Sequence, residues 1–188
     1  YRNNQSDSLS IGNTSIWRLY EDAKGVIWVG TERGLYAYDP STEKFRFLAG
    51  CPRSEISGIT SDKMGTLWFI AGFKLYKYVD SQKKLIVYNN NELLNFCTTV
   101  SRADDGTIWV GTIDGNIAKY YPHTDGFSRY SVFNHSRPTS SSWVEKIYDS
   151  GQGFLLIGTS NQGIKKFSLE KLDYEDLLVY NEDKTDIY

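Results

Sequence analysis

The sequence contains few cysteine, histidine and proline residues: 2 Cys, 2 His and 4 Pro among 188 residues. Two cysteines cannot build a disulfide-rich scaffold, and the spacing of Cys51 and Cys97 matches no zinc-binding pattern. We predict that both thiols are small buried groups, with a disulfide between them as the alternative. His123 and His135 are 12 positions apart, which suits no simple local metal site. We therefore expect neither a metal ion nor a cofactor.

The sequence also lacks an excess of charge and a long apolar run. Lys and Arg together number 21 and Asp and Glu 23, for a net charge of -2. The basic surface that binds nucleic acid is therefore missing. No apolar run approaches the roughly 18 residues of a membrane-spanning helix. Because the chain begins at Tyr1 without a methionine, we expect a piece of a longer protein, and any signal peptide or membrane anchor would lie outside it.

What the sequence does contain is aromatic residues and a repeat. Tyr, Phe and Trp make up 15% of the chain, and such residues favour strands. The segment GVIWVGT at 25–31 returns as GTIWVGT at 106–112, with weaker copies at 65–71 and 153–159. The four segments begin with Gly25, Gly65, Gly106 and Gly153, which are 40, 41 and 47 positions apart. A period of about 40 to 50 residues made of short strands is typical of a β-propeller blade.

The first repeat shows how one blade is built. Residues 16–20 alternate like a strand, and Asp22 to Gly25 suit a type I turn, in which the Asp side chain caps backbone N–H groups. Further strands at 27–29, 35–38 and 45–48 complete a four-stranded antiparallel unit. We therefore predict an all-β fold, a β-propeller fragment of about four four-stranded antiparallel blades.

The repeat also predicts boundaries. The predicted units are a preceding blade's tail and linker at 1–15, four blades at 16–48, 56–88, 97–130 and 144–180, and the start of a following blade at 181–188. In the last blade the fourth strand is predicted at 177–180.

Three tryptophans occupy one repeat position: Trp28, Trp68 and Trp109. We predict that they wedge between neighbouring blades, with a ligand-stacking role as the alternative. An open arc of blades leaves two unpaired faces, and such faces invite pairing with a second copy of the chain. We therefore expect a homodimer or another self-association through the open blade edges.

At these residues the sequence resembles the two-component regulator propeller repeat. That pattern combines an Asp-x-x-Gly turn, a Trp strand ending in Gly-Thr, a Gly-Leu-Tyr segment and a Tyr-Asp pair. The first repeat carries all of it, at Asp22, Gly25, Trp28, Gly30, Thr31, Gly34, Leu35, Tyr36, Tyr38 and Asp39. The second repeat departs where Ile70 replaces the glycine, and the fourth where Leu156 replaces the tryptophan.

The resemblance implies a function. Propellers of this family form the extracytoplasmic sensor region of Bacteroides-type hybrid two-component histidine kinases, so the resemblance implies periplasmic carbohydrate sensing with an oligosaccharide ligand. It also implies that the membrane helix and the kinase of the longer protein lie outside these residues. The alternative is a structural or dimerising propeller scaffold with no ligand site of its own.

A ligand is expected on the face that surrounds the entrance to the central channel. This face is formed by the turns after the Trp strands, including 73–74 and 113–114, and by the loops 49–55, 89–97 and 131–143. An aromatic ring suits the apolar side of a sugar, and amide or charged groups suit its hydroxyls or an acidic sugar's carboxylate. The candidate ligand-binding residues are Trp17, Arg18, Arg33, Asn134, His135, Arg137 and Trp143. The alternative for the last loop is an exposed segment whose tryptophan covers a blade edge.

A catalytic role is not expected. The segment 61–68 is similar to the Asp-box turn of sialidases, which is a folding motif. A sialidase needs an arginine cluster with a tyrosine nucleophile, and propeller lyases use paired histidines and a metal. Because no spacing in this chain indicates either set, we predict no catalytic residues.

Overall fold

The structure, a computed structural model, describes residues 11, 15–88, 92–94, 96–133 and 141–178. Within these residues, sixteen strands form four antiparallel sheets, and each sheet is four strands connected in chain order. The predicted fold class is confirmed. The predicted tail at 1–15 lies mostly outside the described residues, and the predicted start of a following blade at 181–188 lies entirely outside them.

The strands of the first two blades are as follows. Blade 1 contains β1 (Ile16–Glu21), β2 (Ile27–Thr31), β3 (Gly34–Asp39) and β4 (Lys44–Phe47). Blade 2 contains β5 (Ile56–Ser61), β6 (Leu67–Ala71), β7 (Lys74–Val79) and β8 (Lys84–Tyr88). A short 3₁₀ turn at Asp80–Gln82 connects β7 to β8, and a second at Glu92–Leu94 lies in the loop after β8.

The strands of the last two blades repeat this order. Blade 3 contains β9 (Cys97–Arg102), β10 (Ile108–Thr112), β11 (Asn116–Tyr121) and β12 (Gly126–Ser131). Blade 4 contains β13 (Val144–Asp149), β14 (Phe154–Thr159), β15 (Ile164–Ser168) and β16 (Tyr174–Leu178).

The first strand of each blade lies innermost. Strand β1 packs beside β5, β5 beside β9, and β9 beside β13, so these four inner strands line one side of the propeller axis. The upper face is the side that carries the loops between blades and the turn between the second and third strands of each blade, such as the β2–β3 turn. The lower face is the opposite side, which carries the turn between the first and second strands of each blade, such as the β1–β2 turn.

The position of the last strand differs from its prediction. Strand β16 begins at Tyr174 rather than at residue 177. Leu172 adopts a left-handed backbone with φ of 56°, which turns the chain directly after β15. Tyr174 can therefore pair with Phe167, and the strand starts earlier than its hydrophobic pattern indicates.

The repeat tryptophans lie between blades. Trp28 meets Tyr78 of blade 2 edge-on, with ring centroids 6.4 Å apart. Trp68 meets Tyr120 of blade 3 at 4.6 Å, and Trp109 meets Phe167 of blade 4 at 5.7 Å. Each ring is buried, and each belongs to the apolar core that joins its own blade to the next.

Two repeat glycines make room for the inner strand of the next blade. A Cβ at Gly30 would lie 2.8 Å from Ile56 Cγ2, and a Cβ at Gly111 would lie 2.5 Å from Val144 Cγ1. Both distances are well inside van der Waals contact, so a larger residue at either position would push the neighbouring blade away. Close packing of blades therefore depends on these glycines.

The second blade solves the same packing problem differently. Its equivalent residue is Ile70, and the next inner strand starts with the smaller Cys97; both are fully buried in one core cluster. The departure from the repeat pattern is thus offset across the interface. Cys97 and Cys51 are free and buried, so the disulfide alternative is wrong. Burial raises the pKa of the Cys51 thiol to about 11 and that of Cys97 to about 12, which makes both unreactive.

The lower-face turns are held by aspartate side chains, as the sequence predicts for the first blade. Asp22 Oδ1 accepts from the backbone N–H groups of Lys24 and Val26 at 2.9 and 3.0 Å. Its Oδ2 accepts from Trp28 Nε1 at 2.9 Å. Asp62 makes the same three bonds in blade 2, including one from Trp68 Nε1 at 3.2 Å. The side chain thus joins the turn to the interblade tryptophan.

The third blade lacks this link. Ala103 occupies the aspartate position with the same backbone hydrogen bonds, and the buried Trp109 Nε1 has no hydrogen-bond partner in the described structure. Asp105, two residues further along this turn, caps the Thr107 N–H at 2.8 Å instead.

Candidate ligand-binding site

Three aromatic side chains from different loops meet on the upper face. The ring of Phe73 lies 6.1 Å from that of Phe96 and 5.9 Å from that of Trp143, edge-on to both. Phe73 lies in the β6–β7 turn, Phe96 directly precedes β9, and Trp143 directly precedes β13. We call these three residues the upper aromatic cluster. It joins blades 2, 3 and 4 at one side of the axis.

Part of this cluster faces solvent. Phe96 is 55% exposed, and Phe73 and Trp143 are half-buried. An exposed phenylalanine contributes little to the apolar core, since most of its surface stays in water. The cluster therefore presents one exposed ring beside two half-buried rings, which makes it a candidate contact surface.

The backbone at two cluster residues is unusual. Phe73 and Phe96 have φ of 62° and 47°, a left-handed conformation that costs a non-glycine residue of order 1 kcal/mol or more. The conformation is held by two backbone hydrogen bonds. Cys97 N donates to Phe73 O at 2.8 Å, and Ile113 N donates to Phe96 O at 3.0 Å. The fold thus keeps large rings where glycine would be less strained.

Trp143 is anchored through its main chain. Its N–H donates to Ser160 Oγ at 3.2 Å, and Ser160 N donates to Trp143 O at 3.0 Å. Ser160 directly follows β14 and its hydroxyl also donates to Ser141 Oγ. These bonds fix the backbone of Trp143 against blade 4, while its half-buried indole ring packs on Phe73.

A polar network lies next to the cluster. Asp114 forms a parallel β-bridge with Ser142, the residue before Trp143. The Asp114 carboxylate accepts from Thr112 Oγ1 at 2.6 Å and pairs with Arg129 at 2.5 Å. Burial opposes ionisation of Asp114, but these partners and Asn116 outweigh it and hold the pKa of the carboxyl below its usual range. The group is therefore an anion at neutral pH.

The predicted site residues fall into three groups. Trp17, Arg18 and Arg33 lie on blade 1, and no contact joins them to Trp143 among the described residues. Asn134, His135 and Arg137 lie outside the described residues. Of the four predicted residues that the structure describes, only Trp143 lies in the upper aromatic cluster.

The three blade 1 residues have different surroundings. Arg18 Nε donates to Ser57 O of the next inner strand at 2.8 Å, so its guanidinium links two blades. Trp17 beside it is half exposed. Arg33 is exposed in the β2–β3 turn, at the turn position that Phe73 occupies in blade 2.

Sequence reasoning did not single out Phe96, although it lies in a loop expected to contribute to this face. The sequence does contain an indication that Phe96 belongs to the site. This phenylalanine directly precedes an inner strand, at a position where the repeat does not require a buried residue. Phe73 was included only as part of a turn.

A second concave surface lies near the lower end of the inner strands. It has a volume of about 370 Å³ and is lined by charged residues of both signs, namely Arg102, Asp104, Lys146 and Asp149. Asp104 N donates to Asp149 Oδ2 at 2.7 Å. This surface lacks a cluster of rings, so it is the weaker candidate for a sugar.

Comparison with known proteins agrees with the repeat. Residues 10–33 match the family described as two component regulator propeller. No protein of curated function matches the chain in sequence. In the described residues, no helix is both long and apolar enough to cross a membrane.

Several solved structures share the fold. The extracellular domain of a hybrid two-component system from B. thetaiotaomicron is 20% identical with a TM-score of 0.78, over 96% of this chain and 24% of that one. A second extracellular domain from this organism, of a one-component system, is 18% identical with a TM-score of 0.65, over 93% and 30%. The chain therefore spans less than a third of the length of either domain.

An enzyme also shares the fold. The virginiamycin B lyase of Staphylococcus aureus is 14% identical with a TM-score of 0.74, over 93% of this chain and 59% of that one. Because all these identities are 20% or lower, they show a common fold and no more. In its repeat, the chain resembles the two-component regulator propeller family, and the resemblance expected from the sequence is confirmed.

Proposed function

We propose that this chain is part of the periplasmic sensor propeller of a hybrid two-component histidine kinase, and that it binds an oligosaccharide at the upper aromatic cluster. The observation that carries the proposal is the contact of the exposed Phe96 ring with the half-buried rings of Phe73 and Trp143 in one cluster. Binding at this cluster is the step that would start signal transduction. The kinase itself belongs to the longer protein.

The chemistry of the cluster suits a sugar. Pyranose rings present apolar C–H faces that pack on aromatic rings, and their hydroxyls need hydrogen-bonding groups nearby. Asp114, which bridges Ser142 next to Trp143, pairs with Arg129 and so supplies charged groups near this loop. Ser142 and Ser160 supply hydroxyls. A few convergent polar groups around an apolar platform are typical of small-ligand sites.

The sensor part of the proposal rests on similarity. The family match at residues 10–33 and the fold shared with two extracellular domains of B. thetaiotaomicron support it. A non-catalytic role is part of the same proposal, although a lyase shares the fold.

A structural scaffold is the second candidate function, and one observation favours it. Strand β1 carries exposed apolar side chains, including Leu19 at 69%. Such a surface suits contact with another protein surface better than contact with a sugar.

The test is a thermal-shift screen of the chain against plant and host oligosaccharides. A ligand at 100 times its dissociation constant adds about 2.7 kcal/mol of stability, which raises the Tm of a domain of this size by roughly 5–10 °C. Phe96→Ala is the variant that tests the site most directly, because the exposed ring can be removed with little loss of stability.

We expect Phe96→Ala to weaken binding about tenfold, since a ring contact contributes about 1 kcal/mol or more beyond its area. Met64→Ala is the control, because Met64 is also an exposed apolar residue but lies in a lower-face turn. If no glycan shifts the Tm, or if both variants weaken binding equally, the upper aromatic cluster is not a sugar site.

A further inference from the structure

The residue opposite the repeat tryptophan differs in blade 1. In blade 2, Trp68 is paired across strands with Lys77, whose ammonium group lies 5.1 Å from the centroid of the tryptophan ring. Blade 3 has the same arrangement, with a distance of 5.8 Å. In blade 1 the residue paired with Trp28 is Ala37, whose side chain ends at Cβ. Blade 1 therefore lacks the long side chain that lies over the tryptophan in blades 2 and 3.

A cavity lies where this side chain is missing. Its volume is about 560 Å³, which is within the range of small-ligand sites. Val26 and Ala37 form its apolar part, and Lys24 and Arg46 also line it. The ammonium group of Lys24 reaches Asp80 of blade 2 at 3.4 Å. The cavity therefore lies at the lower rim of the interface between blades 1 and 2.

The strand register explains which side chains face the cavity. Arg46 is paired with Ala37, and Lys44 is paired with Asp39, which lies two residues further along β3. Residues that pair directly, and residues two apart in one strand, lie on the same face of a sheet. This is the face of the repeat tryptophan, which contacts blade 2. Strands β3 and β4 thus direct these side chains toward the cavity.

Positive charge is in excess around the cavity. The lining contains three cations, Lys24, Lys44 and Arg46, and one carboxylate, Asp39. Both oxygens of Asp39 accept hydrogen bonds from hydroxyl groups of its own turn. No carboxylate in the part of the chain that the structure describes pairs with Lys44 or Arg46. These two cations are therefore available to a ligand.

The nearest carboxylate of blade 2 does not neutralise this charge. Asp80 pairs with Lys83 of its own blade at 2.6 Å and with Lys24 at 3.4 Å. One carboxylate shared by two ammonium groups leaves a net positive charge at the rim. A cleft lined by charge of one sign attracts ligands of the opposite sign.

We propose that this cavity binds a small organic acid. The carboxylate of the ligand lies between Arg46 and Lys44, and a guanidinium can hold a carboxylate through two parallel hydrogen bonds. The apolar body of the ligand fills the space over Ala37 that a lysine side chain occupies in blades 2 and 3. A bare inorganic ion would leave most of the 560 Å³ and the apolar part of the lining unfilled.

This site is separate from the upper aromatic cluster. Its lining comes from the β1–β2 turn, from the second half of β3 and the turn after it, and from β4. These segments lie toward the lower face. A ligand here therefore neither requires nor excludes a ligand on the upper face.

The test is an NMR titration of the chain with cyclohexanecarboxylate and, separately, with its uncharged amide. We expect saturable binding of the acid and at least about tenfold weaker binding of the amide, since hydrogen bonds between charged groups are stronger than those to a neutral group. Arg46→Gln should weaken binding of the acid about tenfold for the same reason. Arg46 is exposed, so the variant should fold as the wild type does, which circular dichroism checks.

A second variant tests the cavity rather than the charge. Ala37→Met fills the space with an uncharged side chain as long as the lysine of blades 2 and 3, and should weaken binding of the acid at least about tenfold. Ala37→Ser keeps the space open and should bind as the wild type does. Lys171→Gln removes an exposed positive charge from the β15–β16 turn of blade 4 and should also have no effect.

Three results would overturn the proposal. The first is the absence of saturable binding of the acid, and the second is equal binding of the acid and the amide. The third is undiminished binding of the acid by either Arg46→Gln or Ala37→Met, because the ligand would then lie elsewhere.

Discussion

The interface between blades 2 and 3 and the interface between blades 3 and 4 have the same geometry but organise their polar groups in opposite ways. At the first, the polar contacts lie at the rim. Lys77 donates to Tyr120 at 2.7 Å and to Asp125 at 3.2 Å, and the hydroxyls of Tyr88 and Tyr120 both donate to the same Asp125 oxygen. One partly exposed carboxylate therefore joins the two blades.

The interface between blades 3 and 4 has an apolar rim. Phe167 replaces Tyr120 at the equivalent strand position, and Leu172 replaces Asp125 at the left-handed position of the corresponding turn. The buried polar group of blade 4 is held by partners within its own blade instead. Lys165 is fully buried and donates to Gln162 at 3.1 Å and to the carboxylate of Asp176.

The difference shows what a propeller repeat requires. Strand pairing and a large residue between blades recur at both interfaces, whereas the charged groups do not. A blade can place its charges at the edge or inside, provided that each has a partner. The largest energetic consequences are expected where a charge is buried.

The strongest test of the comparison is Lys165→Met. Removing one partner of a buried ion pair leaves the other charge uncompensated, which costs about 3–5 kcal/mol; we expect the lower end because Asp176 is partly exposed. Urea unfolding measures the loss. The double variant Lys165→Met with Asp176→Leu should recover most of it, since two apolar groups replace the pair. Equal losses in the single and the double variant would contradict a paired role for Lys165.

A medium effect is expected from Ala103→Asp, which gives blade 3 the link that blades 1 and 2 possess. The new carboxylate would accept from the orphan Trp109 Nε1 and cap the turn, as Asp62 does. We expect a gain of about 1 kcal/mol in the free energy of unfolding, and a similar loss for the reverse change, Asp62→Ala. If Ala103→Asp destabilises the chain, the tight packing of Ala103 in its core cluster outweighs the hydrogen bond.

The fold could be predicted because its determinants are local and repeated. Asp22 and Gly25 specify a turn, the residues around Trp28 specify a strand, and the same pattern returns at a nearly constant period. When turn chemistry, strand propensity and period agree, they indicate one architecture. The departure from the repeat at Ile70 and Cys97 does not disturb the fold, because the larger residue at position 70 is offset by the smaller residue at position 97.

The candidate site and the buried charge could not be predicted in this way. Phe96 and Trp143 both directly precede an inner strand, whereas Phe73 lies in the β6–β7 turn of another blade, so their meeting depends on how the blades are arranged around the axis. Lys165 lies in a strand where a lysine normally indicates a solvent-facing position. Its burial depends on Asp176, and the predicted strand at 177–180 would have excluded that residue from pairing.

The smallest expected effect concerns the rim at Asp125. Burial of the Asp125 carboxyl opposes its ionisation, but hydrogen bonds from Tyr88, Tyr120 and Lys77 outweigh this and hold its pKa below the usual range. A carboxyl whose pKa is lower in the folded state stabilises the fold above its unfolded pKa of about 3.9. That contribution is lost as the pH falls through the folded pKa.

Asp125→Asn removes this titration while keeping the size of the side chain. We expect the variant to lose under about 1 kcal/mol at neutral pH, because the carboxylate is half exposed and screened by water. Other aspartates with lowered pKa values, including Asp114, still destabilise both proteins in acid, so the informative quantity is the stability difference between wild type and variant. Thermal unfolding between pH 7 and pH 3 measures it. The difference should shrink as the pH falls, and a constant difference would mean that Asp125 joins the two blades through its shape and not through its charge.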